Sequence, residues 1–212
     1  TSWVFSAGGA ARSVTGAIVA GSPLIEFKGA DNVTIDGLNS GSNALTLENT
    51  TASVTSGTST IKFIDGATSN TVTRCSVKGG FSAAVTTNGG NIFFSTDGST
   101  ANGNDNNTIS SCDIGPSGAN LPTKGIYMNG STTTTAINNS GNTFNNNNIF
   151  DYFGAAVSSA GVYISTGNTD NNITNNKFYQ TASRTQTTGA QHSAVWITNT
   201  SGNNFLVSGN TI

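Results

Sequence analysis

Apolar residues recur along this chain in two short motifs set in polar sequence. The first places two apolar residues five positions apart, and an Asn usually introduces it. It reads NTVTRCSV (70–77), NTISSCDI (107–114), NTFNNNNI (142–149) and NNITNNKF (171–178). FLVSGNTI (205–212) is a last copy, and NVTIDGLN (32–39) is an imperfect first one. The second motif is apolar–x–apolar and precedes each copy of the first. It reads IEF, IKF, IFF, IYM, VYI and VWI, starting at Ile25, Ile61, Ile92, Ile126, Val162 and Val195. These starts lie 36, 31, 34, 36 and 33 residues apart. Two motifs in constant order at a fixed period mean one structural unit stacked repeatedly.

The apolar–x–apolar motif is a short strand that turns two side chains to one face. Gly, Asn and Ser turns separate the strands. No window of helix length shows a 3.6-residue period, so helical repeats are excluded. Leu is too sparse for a leucine-rich repeat, and a sandwich would not repeat two motifs in order. The fold expected is all-β: a β-solenoid of about six coils of ~34 residues, with successive coils ~4.8 Å apart. Residues 1–212 form a single domain, of which 1–20 make a partial first coil. The chain starts at Thr1 without a signal peptide and stops inside a motif, so it is expected to be a segment of a longer chain.

Stacking puts equivalent residues in columns. The third position after the first apolar residue is Cys75, Cys112, Asn147, Asn176 and Asn210. This column resembles the inward Asn ladder of right-handed, pectate-lyase-like parallel β-helices. Asn tolerates left-handed backbone geometry, and its amide can bond the coils above and below. Cys is small and apolar enough for the same slot. Segments such as GADNVTIDGLN, IKFIDGATSNTV and NNKFYQTASRTQTT resemble the β-helical regions of very large secreted bacterial surface proteins of adhesin type. That likeness implies a right-handed parallel β-helix, export, and an extracellular or cell-surface location.

Composition narrows the chemistry. Asn, Thr, Ser and Gly make up more than half of the 212 residues. Charged residues are 8%, against about 25% in an average soluble domain. With a net charge of -2 and no basic patch, nucleic acid is not an expected partner. No apolar run reaches the length of a membrane-spanning helix, so membrane insertion is not expected either.

The middle residues of the second motif point outward: Glu26, Lys62, Phe93, Tyr127, Tyr163 and Trp196. The last four would form an aromatic ridge. It could pack under loops, contact another protein, or stack against a glycan. Glu26 and Lys62, one coil apart, should form a salt bridge. Cys75 and Cys112 are near enough for a disulfide, or remain as two buried thiols. The acids Glu26, Asp31, Asp36, Glu48, Asp65, Asp97, Asp105, Asp113, Asp151 and Asp170 are scattered, whereas a glycosidase needs a convergent pair. Asn168, Thr169 and Asp170 resemble one polygalacturonase element without its companions. His192, the single His, cannot build a metal site alone. No catalytic residue, cofactor or metal is therefore expected, beyond incidental calcium at Asp/Asn turns. The function expected is a non-catalytic structural or adhesive module of a cell-surface or filament-forming protein. End-to-end or lateral self-association would be its mode of assembly. The alternative is a carbohydrate-binding or polysaccharide-degrading β-helix.

Overall fold

The computed structural model describes residues 3–6, 10–39, 42–96 and 102–212. The chain is a parallel β-solenoid of about five turns, one fewer than the motif count suggests. The difference lies in counting. Six apolar–x–apolar strands stack in one sheet, and six rungs make five steps.

Three parallel sheets run the length of the solenoid. The first has seven strands: Trp3–Ser6, Val33–Asp36, Thr71–Thr73, Thr108–Ser110, Thr143–Asn145, Asn172–Thr174 and Leu206–Ser208. The second has six: Arg12–Gly16, Leu45–Ser53, Cys75–Phe81, Asp113–Pro116, Asn148–Phe150 and Lys177–Tyr179. The third also has six: Pro23–Lys28, Ser59–Ile64, Gly90–Ser95, Lys124–Asn129, Ser159–Ile164 and His192–Ile197. The first sequence motif thus spans the corner between the first and second sheets. The second motif is the third sheet.

Period-2 alternation explains the core. Ile61, Ile92, Ile126 and Val162 align in register, as do Phe63, Phe94, Met128 and Ile164. All eight are fully buried. Val72, Ile109, Phe144 and Ile173 meet them from the first sheet, and Val77, Ile114, Ile149 and Phe178 from the second. Phe27, Phe63 and Phe94 stack with centroids 4.7 and 4.4 Å apart. Each ring covers the next because parallel pairing repeats the same side-chain vector at every rung.

The corner between the first and second sheets is sharp. One residue there takes a left-handed conformation in each of the five coils from Thr71 onward: Arg74, Ser111, Asn146, Asn175 and Gly209, with φ between 53° and 65°. This corrects the sequence-based expectation. The left-handed residue is the one before the ladder position, not Cys75, Cys112, Asn147, Asn176 or Asn210. The ladder residue points inward and ties the turn to its neighbours.

Candidate functional site: the aromatic row, the asparagine ladders and a buried lysine

Phe93, Tyr127, Tyr163 and Trp196 pair in register across four rungs of the third sheet. Successive ring centroids are 5.4, 5.2 and 5.3 Å apart. The row is continuous, but it is not an open surface. Phe93, Tyr127 and Tyr163 are 2%, 1% and 5% exposed. They pack with Val85 and Ala160 into a second, smaller cluster outside the solenoid core, and Trp196 is half-buried at its end. A ligand track along Phe93, Tyr127 and Tyr163 is therefore closed in this structure. The connection at residues 82–89, which carries Val85, lies over the row. Burial pushes the Tyr127 hydroxyl up to about 12, and the Tyr163 hydroxyl shares a 3.0 Å hydrogen bond with Thr198. Below the aromatic run, Lys62 and Glu26 form the expected ion pair at 3.3 Å.

The ladder at the first corner carries continuous amide chemistry. Asn147 Oδ1 accepts the Cys112 N–H at 2.9 Å. Asn176 Oδ1 accepts both the backbone N–H and the Nδ2 of Asn147, at 2.9 and 3.0 Å. Asn210 Oδ1 does the same for Asn176, at 2.8 and 3.1 Å. The amide nitrogens of Asn147, Asn176 and Asn210 also donate to the carbonyls of Ile109, Phe144 and Ile173. Cys75 and Cys112 occupy the lower steps as free, buried thiols. Burial, with Cys75 alongside, pushes the Cys112 thiol well up.

Two further ladders were missed from sequence. The Asn that introduces the first motif forms one: Asn70, Asn107, Asn142 and Asn171, all buried. Each accepts from the backbone N–H below it at 2.9–3.0 Å: Asn70 from Val33, Asn107 from Asn70, Asn142 from Asn107 and Asn171 from Asn142. Asn104, Asn139 and Asn168 form a third. Asn139 Oδ1 accepts Asn104 Nδ2 at 2.8 Å, and Asn168 Oδ1 accepts Asn139 Nδ2 at 3.0 Å. The recurring introductory Asn was the available signal for the first of these.

The remaining candidates serve the same coil-to-coil bonding. Asn168 belongs to the third ladder, and Asp170 accepts from Asn204 Nδ2 at 2.9 Å. The Asn168, Thr169, Asp170 triplet thus spends its polar atoms on structure. His192 Nδ1 lies 2.8 Å from the buried Ser159 hydroxyl one rung away, and its ring packs on Phe153 at 4.7 Å. Among the described residues, no three His, Cys, Asp or Glu side chains converge as a metal site. No helix of the described residues is long and apolar enough to cross a membrane. Asp97 lies outside the described residues.

Lys124 was not foreseen. It opens a strand of the third sheet, yet it is fully buried. Its ammonium donates to the carbonyls of Val85 at 3.0 Å, Ala84 at 3.4 Å and Thr87. It also lies 4.9 and 4.4 Å from the ring centroids of Phe81 and Tyr127. Burial pulls Lys124 down to about 7.

Comparison of the chain with protein-family models, curated proteins and solved structures finds no match.

Proposed function

We propose that this chain is an extracellular structural or adhesive β-solenoid module, part of a cell-surface or filament-forming protein, without catalytic activity of its own. One observation carries the reading: where the carboxylates point. Fold alone does not decide function, and β-helix enzymes need acids that converge on a cleft. Here each of the nine described carboxylates contacts a residue of another coil. Glu26 pairs with Lys62, Asp36 with Arg74, Asp65 with Lys28 and Asp151 with Arg184. Asp31 accepts from Thr68, Asp105 from Ser140, Asp113 from Asn148 and Asp170 from Asn204. Glu48 accepts from Ser117, two coils on. These carboxylates act as ties between coils, which suits a rod that bears load or displays loops. The likeness of the sequence to β-helical regions of bacterial surface proteins supports export and an adhesive setting.

A polysaccharide-degradation panel, read as new reducing ends or unsaturated uronides, tests the reading. No turnover is expected. Turnover above the blank that disappears in Asp36→Asn or Asp170→Asn would overturn it.

A second reading, glycan binding, rests on Trp196, the one member of the aromatic row that is half-buried rather than closed over. A glycan array with wild type and Trp196→Ala tests it. Binding lost in the variant supports it, and absence of binding, or binding indifferent to the change, counts against it.

A further inference from the structure

The outward positions of the first sheet form two columns. One runs Thr34, Thr71, Thr108, Thr143, Asn172 and Leu206; the other runs Asp36, Thr73, Ser110, Asn145, Thr174 and Ser208. Pairing keeps register at every step, without the irregularity that the second sheet shows between Lys78 and Gly80. Each rung thus repeats an outward pair ~4.8 Å from the next, with about 6.6 Å between the columns. On the four rungs from Thr71 to Thr174, these side chains are all half-buried, and none is charged, aromatic or wholly apolar. The other two sheets differ. Outward positions of the second carry Glu48, Lys78, Phe150, Lys177 and Tyr179, and the third is covered along its aromatic row.

Along the second column the side chains bond one another. Ser110 Oγ donates to Thr73 Oγ1, and Thr174 Oγ1 donates to Asn145 Oδ1, each at 3.0 Å. Along the first, the hydroxyls of Thr71, Thr108 and Thr143 have no hydrogen-bond partner among the described residues, so their bonds go to solvent. The stiff χ1 of Thr fixes where those hydroxyls point. Asparagine ladders pin both edges of the face, Asn70 to Asn171 on one side and Asn147 to Asn210 on the other. The spacing is therefore set before anything binds, and little ordering is left to oppose binding.

We propose that this face binds ice. The periodicity selects the partner. A partner met alike at every rung must itself repeat at the rung spacing, and in two directions. The water oxygens on the prism planes of ice repeat close to both spacings, and water held by the free Thr hydroxyls joins that lattice. A nucleic acid would bring charge that these rungs do not answer. The sugar rings of a crystalline polysaccharide would find no aromatic face here. A second copy of the chain would set hydroxyl against hydroxyl with little apolar area to gain. This site is separate from Trp196 and owes nothing to the carboxylates.

Partition of the protein into a slowly grown ice ball, with the habit of single crystals in the same solution, tests the assignment. The wild type should be enriched in the ice and should facet the crystals. Thr108→Tyr puts a large side chain mid-face at a strand position that tolerates it. It should lose both effects while circular dichroism shows the fold and melting temperature retained. Ser76→Tyr, an equal change on the outer face of the second sheet, should keep both. Exclusion of the wild type from ice, to the level of a non-binding carrier protein, would overturn the assignment without any variant. So would undiminished enrichment of folded Thr108→Tyr. Dimers in sedimentation, or retention on crystalline cellulose, that Thr108→Tyr abolishes while the wild type stays out of ice would assign the face to those partners instead.

Discussion

Asn142 offers the sharpest test of what holds the coils together. It sits mid-solenoid with every polar atom engaged. Its Oδ1 accepts the Asn107 backbone N–H and Asn107 Nδ2, each at 3.0 Å. Its Nδ2 donates to the Asn104 carbonyl at 2.8 Å and to Asn171 Oδ1 at 3.1 Å. Asn142→Ala keeps the backbone but strands the Asn107 N–H and the Asn104 carbonyl in the interior. Asn107 Nδ2 retains the Ala67 carbonyl at 2.9 Å and is not stranded. At ~1–3 kcal/mol for each buried group left without a partner, the loss should be about 3–5 kcal/mol. For a chain of this size that is a fall in melting temperature of roughly 6–20 °C. Asn142→Asp separates geometry from hydrogen-bond polarity. The carboxylate keeps the acceptor for Asn107 but faces the Asn104 carbonyl and Asn171 Oδ1, which are also acceptors. Its folded-state pKa is raised, so the variant should be best tolerated in acid and lose stability as pH rises through the ordinary carboxylate range. Circular dichroism melts at several pH values measure both variants. An Ala variant within ~1 kcal/mol of wild type, or an Asp variant equally stable at neutral pH, would refute the view that the ladder is a stabilising network.

Two further outcomes are expected. The buried Cys75 and Cys112 should resist alkylation by iodoacetamide in the folded chain at mildly alkaline pH and react fully after denaturation, as mass spectrometry would show. At Asp151, burial raises the carboxyl, but the bonds from Thr181 and Arg184 outweigh it and hold it below the usual range. The stability this gives is present above about pH 4 and is lost as pH falls further, so hydrogen exchange at 181–184 should rise in acid and, in Asp151→Asn, already at neutral pH.

The strands and their order were legible because parallel stacking makes each coil repeat the same apolar spacing. Ile61 and Ile92 look alike in sequence because they occupy one column in space. The Cys75 to Asn210 column was legible for the same reason. Its turn was assigned to the wrong residue because Asn suits both roles, and the left-handed site just before it is filled by Arg, Ser, Asn and Gly, which share no sequence mark. The closure of the aromatic row was not legible. It depends on residues 82–89, a connection with no counterpart of similar sequence in other coils. Lys124 was hidden for the same reason: a lysine opening a strand reads as solvated until a neighbouring segment folds over it.

The ladder steps carry a consequence for how such a chain changes length. Asn70, Asn107, Asn142 and Asn171 are separated by 37, 35 and 29 residues, yet each step makes the same bonds. The coil circumference is therefore not a conserved quantity; only the corner chemistry is. Any insertion that leaves the next corner Asn in place is absorbed by a connection, and any whole coil bounded by two such corners can be added or removed with a nearest-neighbour cost alone. Duplication and slippage in the coding repeat would thus yield rods of different reach from the same parts, with no step at which the interior must be redesigned.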